Sequence, residues 1–127
     1  MRVRGRVFSD LGVGGRFVAI PWVRGQLRRL LGAEPFPGTL NLRLSDPEPV
    51  RRLRGLPGPE VVPEEPGYCR AKCFPAELRG VMALVLIPLV AGYPEDKLEL
   101  VSPLKLKEAL GLRDGDEVEL EIRCSRT

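Results

Sequence analysis

Apolar and polar positions alternate in several short stretches. From Val3 to Val7 the two valines and Gly5 share one face, and Arg4 and Arg6 take the other. A period of two marks a half-buried strand. Thr39 to Leu44 repeats it, with Leu40, Leu42 and Leu44 opposite Thr39, Asn41 and Arg43. Asp116 to Arg123 does so again, with Val118, Leu120 and Ile122 inward. Arg16 to Ile20 reads as a strand returning from the first through a turn at Ser9 to Gly15, and Tyr68 to Phe74, Gly80 to Leu89 and Lys97 to Val101 read as further strands. Trp22, Val23, Leu27, Leu30 and Leu31 recur at helical spacing, with Pro21 near the start and Gly32 just past the end, which predicts a helix over Trp22 to Leu31. Ser45 or Asp46 can cap a short helix running through Arg54, and Ser102 one that starts at Pro103 and ends near Leu110. Leu56 to Gly67, with four prolines, reads as a surface loop, and Phe17 and Trp22 as core. About six strands with two or three short helices predict a mainly β fold, and closing it into a barrel removes exposed edges.

Composition narrows the chemistry. The 127 residues make one domain's worth of chain, and 14 Gly with 13 Pro suit short strands and turns better than a helical bundle. Histidine is absent, which removes His-based triads, bases and metal sites. Three cysteines leave at least one unpaired and point to a reducing compartment; Cys69 and Cys73 read as buried or half-buried thiols on one strand face. The longest apolar run, Val81 to Ala91 with Pro88 inside it, is too short to span a bilayer as a helix, and a cytoplasmic protein is expected. Charge is uneven. Residues 1–56 carry 11 basic and 4 acidic side chains, residues 57–127 carry 9 and 13. A basic first half suits an anionic partner or a solvated face.

Four features could carry chemistry. Thr39 and Asn41 put two neutral oxygens one strand repeat apart, which suits Mg²⁺ or simply a polar outer face. The segment Leu11, Gly12, Val13, Gly14, Gly15, Arg16 can bring backbone amides and an arginine to phosphate oxygens, or form a plain hairpin turn; it matches neither a Walker A loop nor GxGxxG. The helix start from Pro103 to Glu108 carries Lys105 and Lys107 near its free amides, which suits an anion or solvent. Glu99 on a strand can accept hydrogen bonds from a hydroxyl or ring N–H, or face solvent.

In order and context these segments resemble the archaeal CTP-dependent riboflavin kinases. The resemblance begins at Gly5 to Ser9 and Leu11 to Gly14, and is most specific from Leu31 through Pro35-Phe36-Pro37-Gly38-Thr39-Leu40-Asn41 to Leu42. It closes with Leu98 to Pro103, Leu104 to Leu110 and Asp114 to Val118. It implies a six-stranded cradle-loop (RIFT-related) barrel and transfer of the γ-phosphoryl of CTP to the 5′-hydroxyl of riboflavin, giving FMN and CDP. By resemblance Leu11 to Arg16 and Leu104, Lys105, Leu106, Lys107, Glu108 and Ala109 are nucleotide-binding segments, Thr39 and Asn41 ligate Mg²⁺, and Glu99 contacts flavin. Many relatives carry an N-terminal winged-helix domain; here residues 1–127 are expected to be a single barrel acting as a monomer, with no membrane or nucleic acid as partner.

Two positions depart from the family pattern. Ala91 stands where a flavin-contacting Thr is usual, and Asp10 where Gly is, which adds a negative charge beside the phosphate segment. A rival resemblance exists in the tail: Ser102 to Leu112 followed by Asp114-Gly115-Asp116-Glu117-Val118 is similar to the DNA-binding swapped-hairpin barrels of the AbrB type. Those chains are shorter and have no role for Gly38-Thr39-Leu40-Asn41; the other alternative is a kinase-like barrel that binds nucleotide or flavin without turning it over.

Overall fold

The computed structural model describes residues 1–10 and 13–124. Among them, seven strands and four helices follow in the order β1 (Arg2–Phe8), α1 (Val13–Ala19), α2 (Pro21–Leu31), β2 (Leu40–Arg43), α3 (Glu48–Gly55), β3 (Glu60–Val61), β4 (Ala71–Leu78), β5 (Val81–Pro88), β6 (Lys97–Val101), α4 (Leu106–Ala109) and β7 (Glu117–Ile122). Pairing runs β4–β5–β6–β2–β1–β7, and Ala76↔Ile122 and Glu77↔Glu121 join β7 back to β4. Six antiparallel strands thus close a barrel, and the two-residue β3 adds to β4 outside it. Closure leaves no long open edge in the ring.

The alternating strands fill the barrel. Val3 and Val7 of β1, Leu40 and Leu42 of β2, and Val118, Leu120 and Ile122 of β7 meet Val85, Ile87, Leu98 and Leu100 in one core cluster. A second cluster lies outside the sheet, where Val18, Val23, Leu27 and Leu31 of α1 and α2 pack on Cys73, Leu84, Leu86 and Val101. β5 is therefore buried on both faces, Ala83, Val85 and Ile87 inward and Leu84 and Leu86 toward the helices. That is why its sequence is a continuous apolar run rather than an alternation. α2 ends where Gly32 adopts φ 74°, a left-handed cap that glycine takes without strain.

Several sequence expectations need correction. Arg16 to Ile20 is not a strand: it belongs to α1 and the turn after it, because the ring of strands is complete without it and Val18 is buried against α2 rather than across a sheet. The fourth helix begins at Leu106, not Pro103; the Ser102 hydroxyl instead accepts from the Leu104 amide at 3.2 Å and donates to the Met82 carbonyl at 2.8 Å, pinning a turn to β5. β4 runs through Pro75 to Leu78, with the Pro75 carbonyl accepting from the Arg123 amide at 2.8 Å. The loop over residues 56–67 contains β3, and Cys69 precedes β4 rather than lying on it. Asp46 does act near a helix start, accepting the Glu48 amide at 3.0 Å.

The basic first half is largely paired within the chain. Arg2, Arg4 and Arg6 on the outer face of β1 face Glu121, Glu119 and Glu117 of β7 at 2.9, 3.7 and 4.0 Å. Arg24 and Arg28 meet Glu34, Arg43 meets Asp96, and Arg51 and Arg54 meet Glu95. These exposed pairs add little stability, but they cancel much of the field that the charge count suggested.

Cys73 is fully buried, and burial pushes its thiol up to about 12, whereas Cys69 and Cys124 are partly exposed. The thiolate is the reactive form. Treating native protein with a disulfide reagent at pH 8 is therefore expected to label Cys69 and Cys124 at least about tenfold faster than Cys73, as mapped by peptide mass. Equal labelling of all three would contradict this burial.

Candidate active site

Two cavities of about 590 and 570 Å³ lie side by side against the barrel wall. The first is lined by Phe8 at the end of β1 and the Ser9 and Asp10 that follow it, by Gly14, Gly15 and Arg16 of α1, by the Phe36–Asn41 segment, and by Ser102, Leu104, Lys105, Leu106 and Lys107. The second is lined by Gly14, Arg16, Phe17 and Ile20, by Gly67, Tyr68 and Cys69, and by Leu86, Pro88, Tyr93, Lys97 and Glu99. Gly14 and Arg16 border both. Both volumes fall in the range of small-molecule sites.

At the shared wall, close packing leaves no room for a side chain at Gly14 of α1. A Cβ added at Gly14 would overlap Glu99 Oε1 and stand 2.6 Å from Thr39 Oγ1. Thr39 and Glu99 are thus brought together around Gly14 although 60 positions apart in the chain. Asn41 joins them, because antiparallel pairing of β2 with β6 sets Asn41 opposite Glu99. Both side chains are buried, each with 8% exposure. Asn41 Oδ1 has no hydrogen-bond partner, which is costly for a buried acceptor and marks a position built for something else.

The Glu99 carboxylate is held from the second cavity. The Tyr93 hydroxyl donates to Oε2, and the Lys97 ammonium stands 3.9 Å from the same oxygen. Burial, then this hydrogen bond and the carboxylate's charge, push the Tyr93 phenol well above its ordinary range, so it remains a donor. On the outer rim Phe17, Trp22 and Tyr68 form an aromatic group, with centroids 6.3 Å apart for Phe17 and Trp22 and 5.3 Å for Trp22 and Tyr68. Trp22 Nε1 donates to Glu65 at 2.6 Å, and Gln26 bonds the Val62 backbone, so the segment carrying Tyr68 is tied to α2. Beside the first cavity Lys107 donates to Asp114 at 2.7 Å, and the Ser9 hydroxyl donates to the same carboxylate at 2.8 Å; these two bonds hold Asp114 below the usual carboxylate range.

Gly14, Gly15, Arg16, Thr39, Asn41, Leu104, Lys105, Leu106 and Lys107 line the first cavity, and Glu99 lines the second. Leu11, Gly12 and the Val13 side chain lie outside the described residues. Glu108 and Ala109 are exposed and border neither cavity. Ala91 is exposed in the turn after β5 and borders neither; Tyr93, two residues later, supplies that segment's contact. Phe17 and Trp22, expected in the core, are half-buried at the rim. Sequence reading missed Tyr93, Lys97 and Tyr68; the only signal was that two of the chain's seven aromatic residues stand beside Gly67 and Gly92 in irregular segments.

The fit to a divalent ion rests on oxygen donors. Among the described residues no group of three or more His, Cys, Asp or Glu is placed to hold a metal. Asn41 Oδ1, buried and unpartnered, and the Thr39 hydroxyl beside it on the cavity wall are the hard neutral donors that Mg²⁺ accepts together with water and phosphate oxygens.

A family model, CTP-dep_RFKase, described as "Domain of unknown function DUF120", matches residues 7–122. The chain is 37% identical over 120 residues to a riboflavin kinase of Methanocella arvoryzae, covering 94% of this chain and 56% of that protein. It is 43% identical over 128 residues to a riboflavin kinase of Pyrobaculum arsenaticum, covering 96% and 60%. Against a riboflavin kinase of Archaeoglobus fulgidus it is 39% identical over 127 residues, covering 96% and 54%. The chain therefore spans between half and two thirds of the length of these curated relatives.

Proposed function

The chain belongs to the CTP-dependent riboflavin kinase family, and from that premise we propose that it transfers the γ-phosphoryl group of CTP to the 5′-hydroxyl of riboflavin, releasing FMN and CDP. The observation that carries this reading is the pair of cavities joined at Gly14, with Thr39, Asn41 and Glu99 at the junction. A bisubstrate transfer needs two sites whose occupants meet at one point, and this arrangement supplies one.

The first cavity suits a nucleoside triphosphate. Arg16, Lys105 and Lys107 bring positive charge to its walls, and Phe8 and Phe36 bring aromatic surface for a base. The second suits a flat tricyclic ring, with Phe17, Tyr68 and Tyr93 as walls and Glu99 as an acceptor for a ring N–H or a ribityl hydroxyl. Thr39 and Asn41 are the residues that would hold Mg²⁺, which when bound neutralises phosphate charge. The remaining work belongs to the chain. Phosphoryl transfer in most analyses passes through a loose transition state, so alignment and charge matter more than a strong base. Burial of Glu99 and its bond from Tyr93 fix one oxygen and leave the other at the junction. Closure of the barrel within one chain supports a monomer as the working unit.

Incubating the protein with Mg²⁺, riboflavin and each of CTP, ATP, GTP and UTP tests the reading. FMN, resolved by chromatography, is expected with CTP at a rate at least about tenfold above the other nucleotides, a discrimination of roughly 1.4 kcal/mol. FMN from none of them would overturn it.

A further inference from the structure

The two cavities are also linked by charge. Asp10 borders the first cavity, and Lys97, Glu99 and Tyr93 border the second. The Lys97 ammonium lies 2.5 Å from Asp10 Oδ2, 3.9 Å from Glu99 Oε2 and 5.7 Å from the centre of the Tyr93 ring. Its side chain keeps only 15% of its exposure. Two carboxylates and a ring face thus enclose this cation, and enclosure strengthens each interaction relative to water.

We propose that Lys97 is a positioning residue for the nucleotide: from the side of the second cavity it offsets the Asp10 carboxylate at the edge of the first, and so sets affinity for a nucleoside polyphosphate. The proposal rests on the assignment of the first cavity to the nucleotide. Asp10 puts negative charge on a wall that faces a polyanion, and like charges at short range repel. One ammonium between two carboxylates leaves the group with a single net negative charge; loss of the ammonium doubles it. Lys97 also anchors Asp10, at the start of the segment leading to Gly14, onto β6. Lys97 borders the flavin-side cavity, so a role confined to its own cavity would appear as weaker riboflavin binding. A role through Asp10 appears as weaker nucleotide binding that removal of the Asp10 charge repairs.

The test is calorimetric titration of CDP with Mg²⁺ present and riboflavin absent. Riboflavin is titrated separately by quenching of its fluorescence. Lys97→Met is expected to weaken CDP binding about fivefold to tenfold, and Lys97→Arg to stay within about twofold of wild type. Adding Asp10→Asn to Lys97→Met is expected to restore CDP affinity to within about twofold, and Asp10→Asn alone to tighten it by about threefold. Asp10→Asn preserves side-chain size, so it decides the matter even if Lys97→Met does not fold, as read by circular dichroism. The proposal is overturned if Lys97→Met leaves CDP affinity unchanged, if the double variant is not restored, or if Asp10→Asn alone fails to tighten binding. Wild-type protein that binds no CDP overturns the nucleotide assignment together with the proposal. Normal wild-type binding with unresponsive variants removes the proposal alone.

Discussion

Gly14→Ala is expected to lower the rate of FMN formation about a hundredfold while leaving the fold intact. The added methyl would overlap Glu99 Oε1 and meet Thr39 Oγ1 at 2.6 Å, so both groups must retreat by about 1 Å to regain van der Waals separation. A displacement of that size at a reacting centre costs about 10²-fold in rate. Stability should not follow activity. Gly14 lies in α1, where alanine is ordinarily favoured over glycine by up to about 1 kcal/mol, and the atoms that must move end side chains at a cavity. Gly25→Ala is the matched control, because a Cβ there meets nothing within 4 Å in the middle of α2. That variant should gain about 1 kcal/mol by urea unfolding and keep its rate. Wild-type turnover by Gly14→Ala would show that the two cavities do not meet where the reaction occurs.

Asn41→Leu is expected to separate stability from activity in the same sense, through a different cause. Asn41 Oδ1 is buried without a partner, and replacing such a group by an apolar one of similar size removes a desolvation cost of about 1–3 kcal/mol. The urea midpoint should rise or hold. FMN formation should fall about 10²- to 10³-fold, the scale on which removal of one preorganised charge-stabilising group acts. Thr39→Val should produce a smaller loss, of about tenfold, if Asn41 supplies the stronger donor. A drop in stability with rate preserved would make Asn41 a structural residue and remove the metal assignment.

Much of this arrangement is legible in one dimension. Alternation in β1, β2 and β7 fixes which residues face the barrel, since a period of two leaves no other choice. The same rule puts Thr39 and Asn41 opposite the leucines, and the resemblance from Leu31 to Leu42 marks that strand as special. The helix over Pro21–Leu31 follows from its proline and glycine limits. The stretch containing Arg16 misleads because five residues hold too few apolar positions to distinguish periods of 2 and 3.6. Only packing of Val18 on α2 resolves it. Ser102 misleads for another reason: a hydroxyl before proline looks the same whether it caps a helix or, as here, ties a turn to the Met82 carbonyl.

Sequence by itself determined the inward faces of the strands, the polar pair Thr39 and Asn41 at the start of β2, the absence of histidine chemistry and the family to which the residues point. Those properties are local, set by side-chain type and by spacing within a single element. Tertiary structure alone decided that Arg2, Arg4 and Arg6 are matched by β7 rather than offered to an anion, that Gly14 presses against Thr39 and Glu99, and that Lys97 reaches Asp10 from the neighbouring cavity. Each joins groups from distant parts of the chain. Such contacts depend on how the barrel closes and which strands it makes adjacent, a property of the whole ring that no single stretch of sequence carries.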